Sequence, residues 1–183
     1  MKRIYRILLG CNSIMIFFVI YAIKSHIVIS IFKYEWLSYT LYITCTIFFS
    51  GICLFVARFL PDEIISGGIE EVELADGSYL PSYLGYFFVA LSVNDISTMG
   101  WVGGIIFVFT LFSQTLYFNP MFLLFGYKFY YLTMDNGMKL FVLTRLPIKN
   151  VKALHFDKVK RINDYTFIDR RMRNELRNSK GKR

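Results

Sequence analysis

Long stretches without charged side chains constrain the fold of this chain more than any other feature of its sequence. Residues 7–23 form a run of 17 uncharged residues, residues 36–57 form a second of 22, and residues 77–127 contain a single charge, Asp95. About 20 apolar residues in a helix cross the ~30 Å hydrocarbon core of a bilayer. The sequence therefore predicts an α-helical integral membrane protein. Its transmembrane domain, residues 1–126, is expected to hold four helices, at about 7–23, 36–57, 81–96 and 101–118.

Composition agrees with a membrane protein and excludes several other classes. Apolar residues make up 55% of the 183-residue chain and aromatic residues 19%, whereas a typical soluble domain is about 45–50% apolar. Neither a disulfide-rich secreted scaffold nor a disordered chain has this composition. No phosphate-binding loop, dinucleotide fingerprint, metal motif or catalytic triad pattern is present. We therefore expect no enzymatic activity, no cofactor and no metal site.

The distribution of basic residues predicts the orientation in the membrane, because Lys and Arg are enriched in cytoplasmic segments. With four crossings, the two termini lie on the same side of the membrane. That side then holds Lys2, Arg3, Arg6 and Arg58, whereas only Lys24 and Lys33 lie opposite. We predict a multi-pass membrane protein with both termini in the cytoplasm.

The connection between the second and third predicted helices, residues 61–80, is acidic and contains no Lys or Arg. On the predicted topology it is a cytoplasmic loop. It is either a solvated connector or a docking edge for a basic partner. The candidate side chains for such a contact are Asp62, Glu63, Glu70, Glu71 and Glu73.

A β-hairpin pattern follows the last predicted helix. Two runs rich in aromatic and β-branched residues flank an Asp-Asn-Gly sequence at 135–137, which is a strong hairpin signal. A three-residue loop would place Gly137 in the left-handed conformation and pair Leu132 with Leu140. A two-residue turn would pair Leu132 with Phe141 instead, and the sequence leaves both registers open.

Both faces of this hairpin carry bulky apolar side chains. One face could cover a small core within a cytoplasmic β-rich module, predicted at residues 127–169. The other face requires lipid headgroups, a sister subunit or another partner. Phe129, Tyr131 and Phe141 are therefore candidate partner-binding residues.

The C-terminal tail, residues 170–183, is strongly basic, and the segment from Lys139 to the C-terminus carries a net charge of +10. Such a tail is attracted to anionic lipid or binds a protein partner. Direct nucleic-acid binding is not expected, since no recognised fold or stacking motif accompanies the charge. The candidate partner-binding residues of the tail are Arg170, Arg171, Arg173 and Arg177.

Asp95 is a further candidate, because buried acids within membrane helices often mark ion paths or helix partners. A helix that starts near Pro81 has nearly crossed the bilayer by residue 95, however. Asp95 is therefore either a functional intramembrane polar group or a residue of a solvated turn.

Three segments, taken with the predicted helix layout and the chain length, resemble a known family. They are LPSYLGYFFVALS at residues 80–92, NPMFLLFGYKFY at 119–130 and RINDYTFID at 161–169. Together they resemble the KwaA family, the membrane subunits of bacterial Kiwa anti-phage systems. The resemblance implies an inner-membrane protein that forms a homo-oligomer, with a tetramer suspected, and that works with KwaB, a cytosolic DNA-binding protein. It implies no catalytic residues.

The predicted function is accordingly that of a membrane sensor and scaffold in anti-phage defence, which recruits a cytosolic DNA-binding effector on infection. Two other classes of protein remain open. A bacteriocin-immunity protein would also be small, basic and membrane-embedded, but would not need a folded β-module. A small ion channel would be expected to show more polar groups along its helices.

Overall fold

The computed structural model describes residues 2–65, 67–112, 119–146, 148 and 156–170. Helices are α1 (Lys2–Lys24), α2 (Glu35–Val56), α3 (Asp76–Ser92), α4 (Ile96–Phe112) and the short α5 (Met121–Leu124), and a 3₁₀ turn, Ala57–Phe59, follows α2. Strands are β1 (Asp62–Ile65), β2 (Ile69–Leu74), β3 (Lys128–Met134), β4 (Lys139–Thr144), β5 (Phe156–Arg161) and β6 (Thr166–Ile168).

Helix α1 is the centre of the helical part of the molecule and contacts α2, α3 and α4. Its buried Phe17 and Tyr21 pack in one apolar cluster with Ala90 of α3 and Met99 of α4. The turn between α3 and α4 lies beside the end of α1, because Lys24 Nζ donates a hydrogen bond to the Asn94 side chain. The helices therefore form a bundle around α1.

The prediction of four transmembrane helices is wrong. Within the described residues, only two helical segments are long and apolar enough to cross a membrane, Arg3–Lys24 and Glu35–Phe59. Helices α3 and α4 have 17 residues each, about 25 Å of helix, which is shorter than a ~30 Å hydrocarbon core. The physical reason is that the long uncharged run 77–127 is divided among several elements rather than forming two full-length spans. It turns between α3 and α4, and its last residues enter α5 and the approach to β3.

The sheet is also larger than the sequence indicated. It is mixed and six-stranded, in the order β1-β5-β6-β4-β3-β2; β4 and β6 run parallel and the other neighbours antiparallel. Residues 61–80 are not a loop, since they supply both edge strands and the start of α3. β1 pairs with β5, and β2 pairs with β3. The acidic segment thus forms both edge strands of the sheet.

The sheet is strongly curved, as the short connection between its edge strands requires. Four Cα steps separate Ile65 at the end of β1 from Ile69 at the start of β2, and they span at most ~15 Å. The edges of a flat six-stranded sheet would be ~24 Å apart. The connection is also tied to the hairpin turn, because the backbone N–H of Asp135 donates to the Gly68 carbonyl at 3.0 Å. The two edges therefore approach each other at this end, and the sheet is curved.

The two faces of the sheet bury different clusters. The helix-facing side carries Phe129, Phe141, Leu143 and Ile168, which pack with buried residues of α1 and α2. The opposite, concave side buries a second cluster drawn from several strands: Tyr130, Leu132, Met134, Leu140, Val142, Phe156, Val159 and Phe167. The sheet thus joins the helices through one face and has a core of its own on the other.

The β3–β4 hairpin adopts the first of the two registers considered. Leu132 pairs with Leu140, and Gly137 has φ of +77°. Its backbone N–H donates to the Met134 carbonyl at 2.8 Å, and the Asn136 side chain accepts from the Met138 N–H at 3.0 Å. The turn chemistry read from the sequence is confirmed.

Candidate functional site

The edge strand β2 carries a group of exposed charged side chains. Glu70, Glu71 and Glu73 are all exposed, and β3 is the only strand beside β2 in the described sheet. Glu71 and Glu73 pair across the ladder with Thr133 and Tyr131, so their side chains stand on the helix-facing side. No ion pair among the described residues involves these three glutamates. β2 therefore presents negative charge together with an open row of backbone hydrogen-bonding groups.

The two acidic residues of β1 are placed differently, because each is neutralised within the chain. Asp62 lies 2.9 Å from Lys160 Nζ, and Glu63 lies 2.8 Å from Arg161. Arg161 also contacts Asp164 at 2.8 Å. The five carboxylates predicted as one docking edge are thus divided: two hold β1 against β5, and three are exposed on β2.

A cavity of about 200 Å³ opens on the concave side of the sheet near this ion-pair group. Its walls combine Glu63 and Arg161 with apolar side chains that include Met134, Leu140 and Phe167. Since both Glu63 and Arg161 are already ion-paired, the polar groups at this opening hold β1 in place.

The aromatic side chains of the hairpin lie between the sheet and the helices. Phe129 and Phe141 are buried and stack at 5.9 Å, and half-buried Tyr131 packs against Phe141 at 5.4 Å. Both phenylalanines belong to the helix-facing cluster. A partner could reach Tyr131 in this conformation, but not Phe129 or Phe141.

Only the first residue of the predicted basic contact lies within the described part of the chain. Arg170 is exposed, two residues after β6. Arg171, Arg173 and Arg177 lie outside the described residues.

Asp95 lies in the turn between α3 and α4 and is exposed. Its Oδ1 accepts a hydrogen bond from the Thr98 backbone N–H at 2.7 Å. Hydrogen bonds from the side chain and the backbone of Thr98 lower the pKa of the Asp95 carboxyl, because they favour its charged form. Asp95 is therefore an N-terminal cap of α4 at a helix–helix turn.

Sequence reasoning missed a polar contact buried among the helices. Asn12 of α1, Ser50 of α2 and Asn119, just before α5, are each no more than 2% exposed. Ser50 Oγ donates to Asn12 Oδ1 at 2.8 Å, and Asn119 Nδ2 donates to the Asn12 carbonyl at 3.0 Å. Asn119 Oδ1 accepts the Met121 N–H at 2.8 Å. The sequence signal that could have indicated this contact is the presence of two amide side chains, Asn12 and Asn119, within otherwise apolar runs.

No group of three or more His, Cys, Asp or Glu side chains suited to a metal ion occurs in the described residues. The three cysteines are free thiols. The surfaces that could contact another molecule are the acidic edge of β2 and the exposed apolar side chains of the helices, such as Trp101 and Phe109 of α4.

Comparison with known proteins identifies the family. A family model described as anti-phage protein KwaA matches residues 5–168, most of the chain. The chain belongs to the KwaA family of anti-phage proteins. No curated protein matches it, and no solved structure does.

Membership confirms the resemblance drawn from the sequence and implies that this KwaA-family chain acts in anti-phage defence. The matched region includes every described strand and helices α2–α5. It ends before Arg170 and the basic tail. Family membership therefore rests on the helical bundle and the curved sheet together.

Proposed function

We propose that this chain is the membrane-anchored sensor and scaffold of an anti-phage defence complex, without catalytic activity of its own. Helices α1 and α2 hold it in the bacterial inner membrane, with the sheet in the cytoplasm. The chain assembles with copies of itself through its helices. On infection, the acidic edge of β2 recruits a cytosolic DNA-binding effector, the partner that the KwaA resemblance implies.

The observation that carries the recruitment proposal is the exposed glutamate group on β2, which is an edge strand of the sheet within the described residues. An edge strand offers backbone hydrogen bonds to an added strand, and its charge selects a partner of opposite sign. Glu70, Glu71 and Glu73 remain unneutralised within the described chain, in contrast to the paired acids of β1. A DNA-binding protein carries basic surface as a rule, and such a surface is complementary to β2.

Self-association is supported by the exposed apolar face of α4. Trp101, Ile105, Phe109 and Phe112 recur at intervals of three or four residues, and each is more than half exposed. This spacing places them in one stripe on the helix. We propose that a second copy of the chain covers this stripe.

Charge reversal of β2 tests the recruitment step. The chain carrying Glu70→Lys, Glu71→Lys and Glu73→Lys together would be co-expressed with the tagged cytosolic product of the adjacent reading frame and purified in mild detergent. We expect co-purification at low salt to fall by roughly tenfold or more, because three favourable interface charges become repulsive. Phage resistance of cells that carry the complete defence locus should fall in parallel.

The matched control is Lys158→Glu, a charge reversal at another exposed position of the same sheet. It should leave co-purification and plaque counts unchanged. If the β2 variant inserts, assembles and still retains its partner as the wild type does, the acidic edge is solvated surface and recruitment through β2 is wrong.

A further inference from the structure

Two arginines and a tyrosine lie together at the end of the sheet that meets the helices. Tyr127 immediately precedes β3, Arg145 directly follows β4, and Arg170 follows β6 by two residues. The guanidinium carbon of Arg145 lies 4.6 Å from the centre of the Tyr127 ring. This cation–π contact holds the half-buried Arg145 side chain against the sheet.

Strand register brings Arg170 to the same place. In the parallel β4–β6 ladder, Leu143 pairs with Ile168, and the Asp169 N–H donates to the Leu143 carbonyl at 2.7 Å. Continuing this register by two residues sets Arg145 beside Arg170. Arg145 lies over the ring of Tyr127, which belongs to the helix-facing cluster, so this side chain is on the helix-facing side. If the alternation of side chains along β6 continues to residue 170, Arg170 follows Ile168 onto that side.

Two like charges at neighbouring positions on one face of a sheet repel each other. In the described part of the chain, no carboxylate forms an ion pair with Arg145 or Arg170. Neighbouring Asp169 lies on the alternate face, where the Thr144 hydroxyl donates to it at 3.2 Å. The pair is therefore suited to an anion.

Tyr5 of α1 completes the group from the helix side. It is 2% exposed and packs in the same buried cluster as Tyr127, whose ring Arg145 covers. Among the described residues, neither the Tyr5 hydroxyl nor Arg145 Nε has a hydrogen-bond partner, although both atoms are buried. Buried polar atoms without a partner are uncommon in folded proteins, and a site for a bound ion or water is one recognised explanation.

The surroundings of Tyr5 indicate the kind of anion. On its other side, Tyr5 lines an apolar groove of about 90 Å³ between α1 and the end of α2, with Ile4, Leu8, Val56 and Phe59. A free inorganic anion would make no favourable contact with this apolar groove. A phospholipid carries a phosphate group and an acyl chain in the same molecule, and the two surfaces meet at Tyr5.

We propose that Arg145, Arg170 and the Tyr5 hydroxyl bind the phosphate group of an anionic phospholipid, and that the first part of its acyl chain lies in the adjacent groove. The chemistry shared with any competing ligand is that of a phosphate anion bound by guanidinium and hydroxyl donors. The inference rests on the proposed membrane insertion of α1 and α2. On this proposal, the junction between the helices and the sheet binds lipid as well as joining the two parts of the molecule.

The test measures thermal unfolding of the detergent-purified full chain in mixed micelles. Phosphatidylglycerol is titrated in one series, phosphatidylcholine in a second and inorganic phosphate in a third. We expect phosphatidylglycerol to raise the unfolding temperature in a saturable way, with little effect of the other two. Native mass spectrometry should find phosphatidylglycerol retained on the chain.

Substitutions assign the effect to the site. Arg145→Gln should weaken the phosphatidylglycerol response about tenfold, the size of one lost charge-assisted hydrogen bond. Tyr5→Phe removes a single hydroxyl and should weaken it less. Lys128→Gln is the matched control, since it removes one exposed positive charge beside Tyr127 and should respond as the wild type does. If Arg145→Gln fails to fold, Arg170→Gln replaces it, because position 170 is exposed; this variant should also show a weaker response to phosphatidylglycerol than the wild type.

Three results would overturn the proposal. If phosphatidylglycerol raises the unfolding temperature of Arg170→Gln, Lys128→Gln and the wild type equally, the arginine pair binds no lipid. Saturation by inorganic phosphate at least as effective as that by phosphatidylglycerol would identify a site for a free anion. Displacement of phosphatidylglycerol by a short DNA duplex would identify a nucleic-acid surface. Extraction of the wild-type chain from membranes by alkaline carbonate would instead contradict the proposed insertion, so the two failures are distinguishable.

Discussion

Gly137 shows most directly how one residue controls local structure in this protein. It has φ of +77°, and a Cβ built on it would meet no atom within 4 Å. The space around it therefore places no limit on a side chain. Only the backbone conformation, which L-residues adopt at a cost, requires glycine there.

Gly137→Val is accordingly expected to lower the free energy of unfolding by at least ~1 kcal/mol, because a β-branched residue is strained at positive φ. Chemical unfolding of the detergent-purified protein would measure the change. Gly137→Asn should have a smaller effect, since asparagine adopts the left-handed region more readily. Equal stability of the valine variant and the wild type would contradict a requirement for this turn.

At the scale of elements, a few hydrogen bonds connect helices that are otherwise joined by apolar packing. Ser50 shares its hydroxyl proton between the Asn12 side chain of α1 and the Thr46 carbonyl of its own helix. Asn119 lies against the same groups from the start of α5. In an apolar environment such bonds restrict how two helices can slide or rotate against each other.

The chain provides a matched pair of serines that tests this role. Ser50→Ala should destabilise the fold by about 1–2 kcal/mol, because it leaves buried polar groups without their partner. Ser92, at the exposed end of α3, donates to the carbonyl of Phe88 four residues earlier and has no other side-chain hydrogen bond within the described part of the chain, so Ser92→Ala should be close to neutral. Thermal unfolding of both variants provides the comparison, and equal losses would show that the Asn12 contact contributes nothing.

At the scale of the whole molecule, the ends of the two long helices determine the expected topology. The sheet follows the end of α2 and lies beside the start of α1, since Tyr5, Ala57 and Phe141 share one buried cluster. The same end carries Arg3, Arg6 and Arg58, so the distribution of basic residues favours a cytoplasmic position for the sheet. Residues 25–34, between α1 and α2, would then face the periplasm.

Labelling of introduced cysteines checks this topology in intact cells. Ser30→Cys should react with a membrane-impermeant maleimide, because it lies in the exposed α1–α2 connection. Glu70→Cys on β2 should react only after permeabilisation. The chain with no added cysteine serves as the control for Cys11, Cys45 and Cys53. Labelling of Glu70→Cys in intact cells would place the sheet outside and contradict recruitment of a cytosolic partner.

Prediction from sequence succeeded where the determining interactions are local. The Asp-Asn-Gly turn defines its hairpin within a few residues, and the apolar runs of α1 and α2 are long enough to identify both helices without knowledge of their neighbours. It failed for β1 and β2, because an acidic segment with Gly67 and Gly68 lacks the alternation of a strand. Their partners, β5 and β3, lie far along the chain.

The same division applies to the candidate site. The sequence by itself determined which residues are charged, where the hairpin turns and that the chain is rich in apolar helices, since these properties depend on composition and short-range backbone preference. Only the tertiary structure decided that Asp62 and Glu63 are neutralised, whereas Glu70, Glu71 and Glu73 are exposed. It also decided that the α3–α4 turn lies beside the end of α1 and that Phe129 and Phe141 of the hairpin are buried. These outcomes depend on strand pairing and helix packing between segments that are distant in sequence. The free energy of such contacts cannot be inferred from a local sequence pattern.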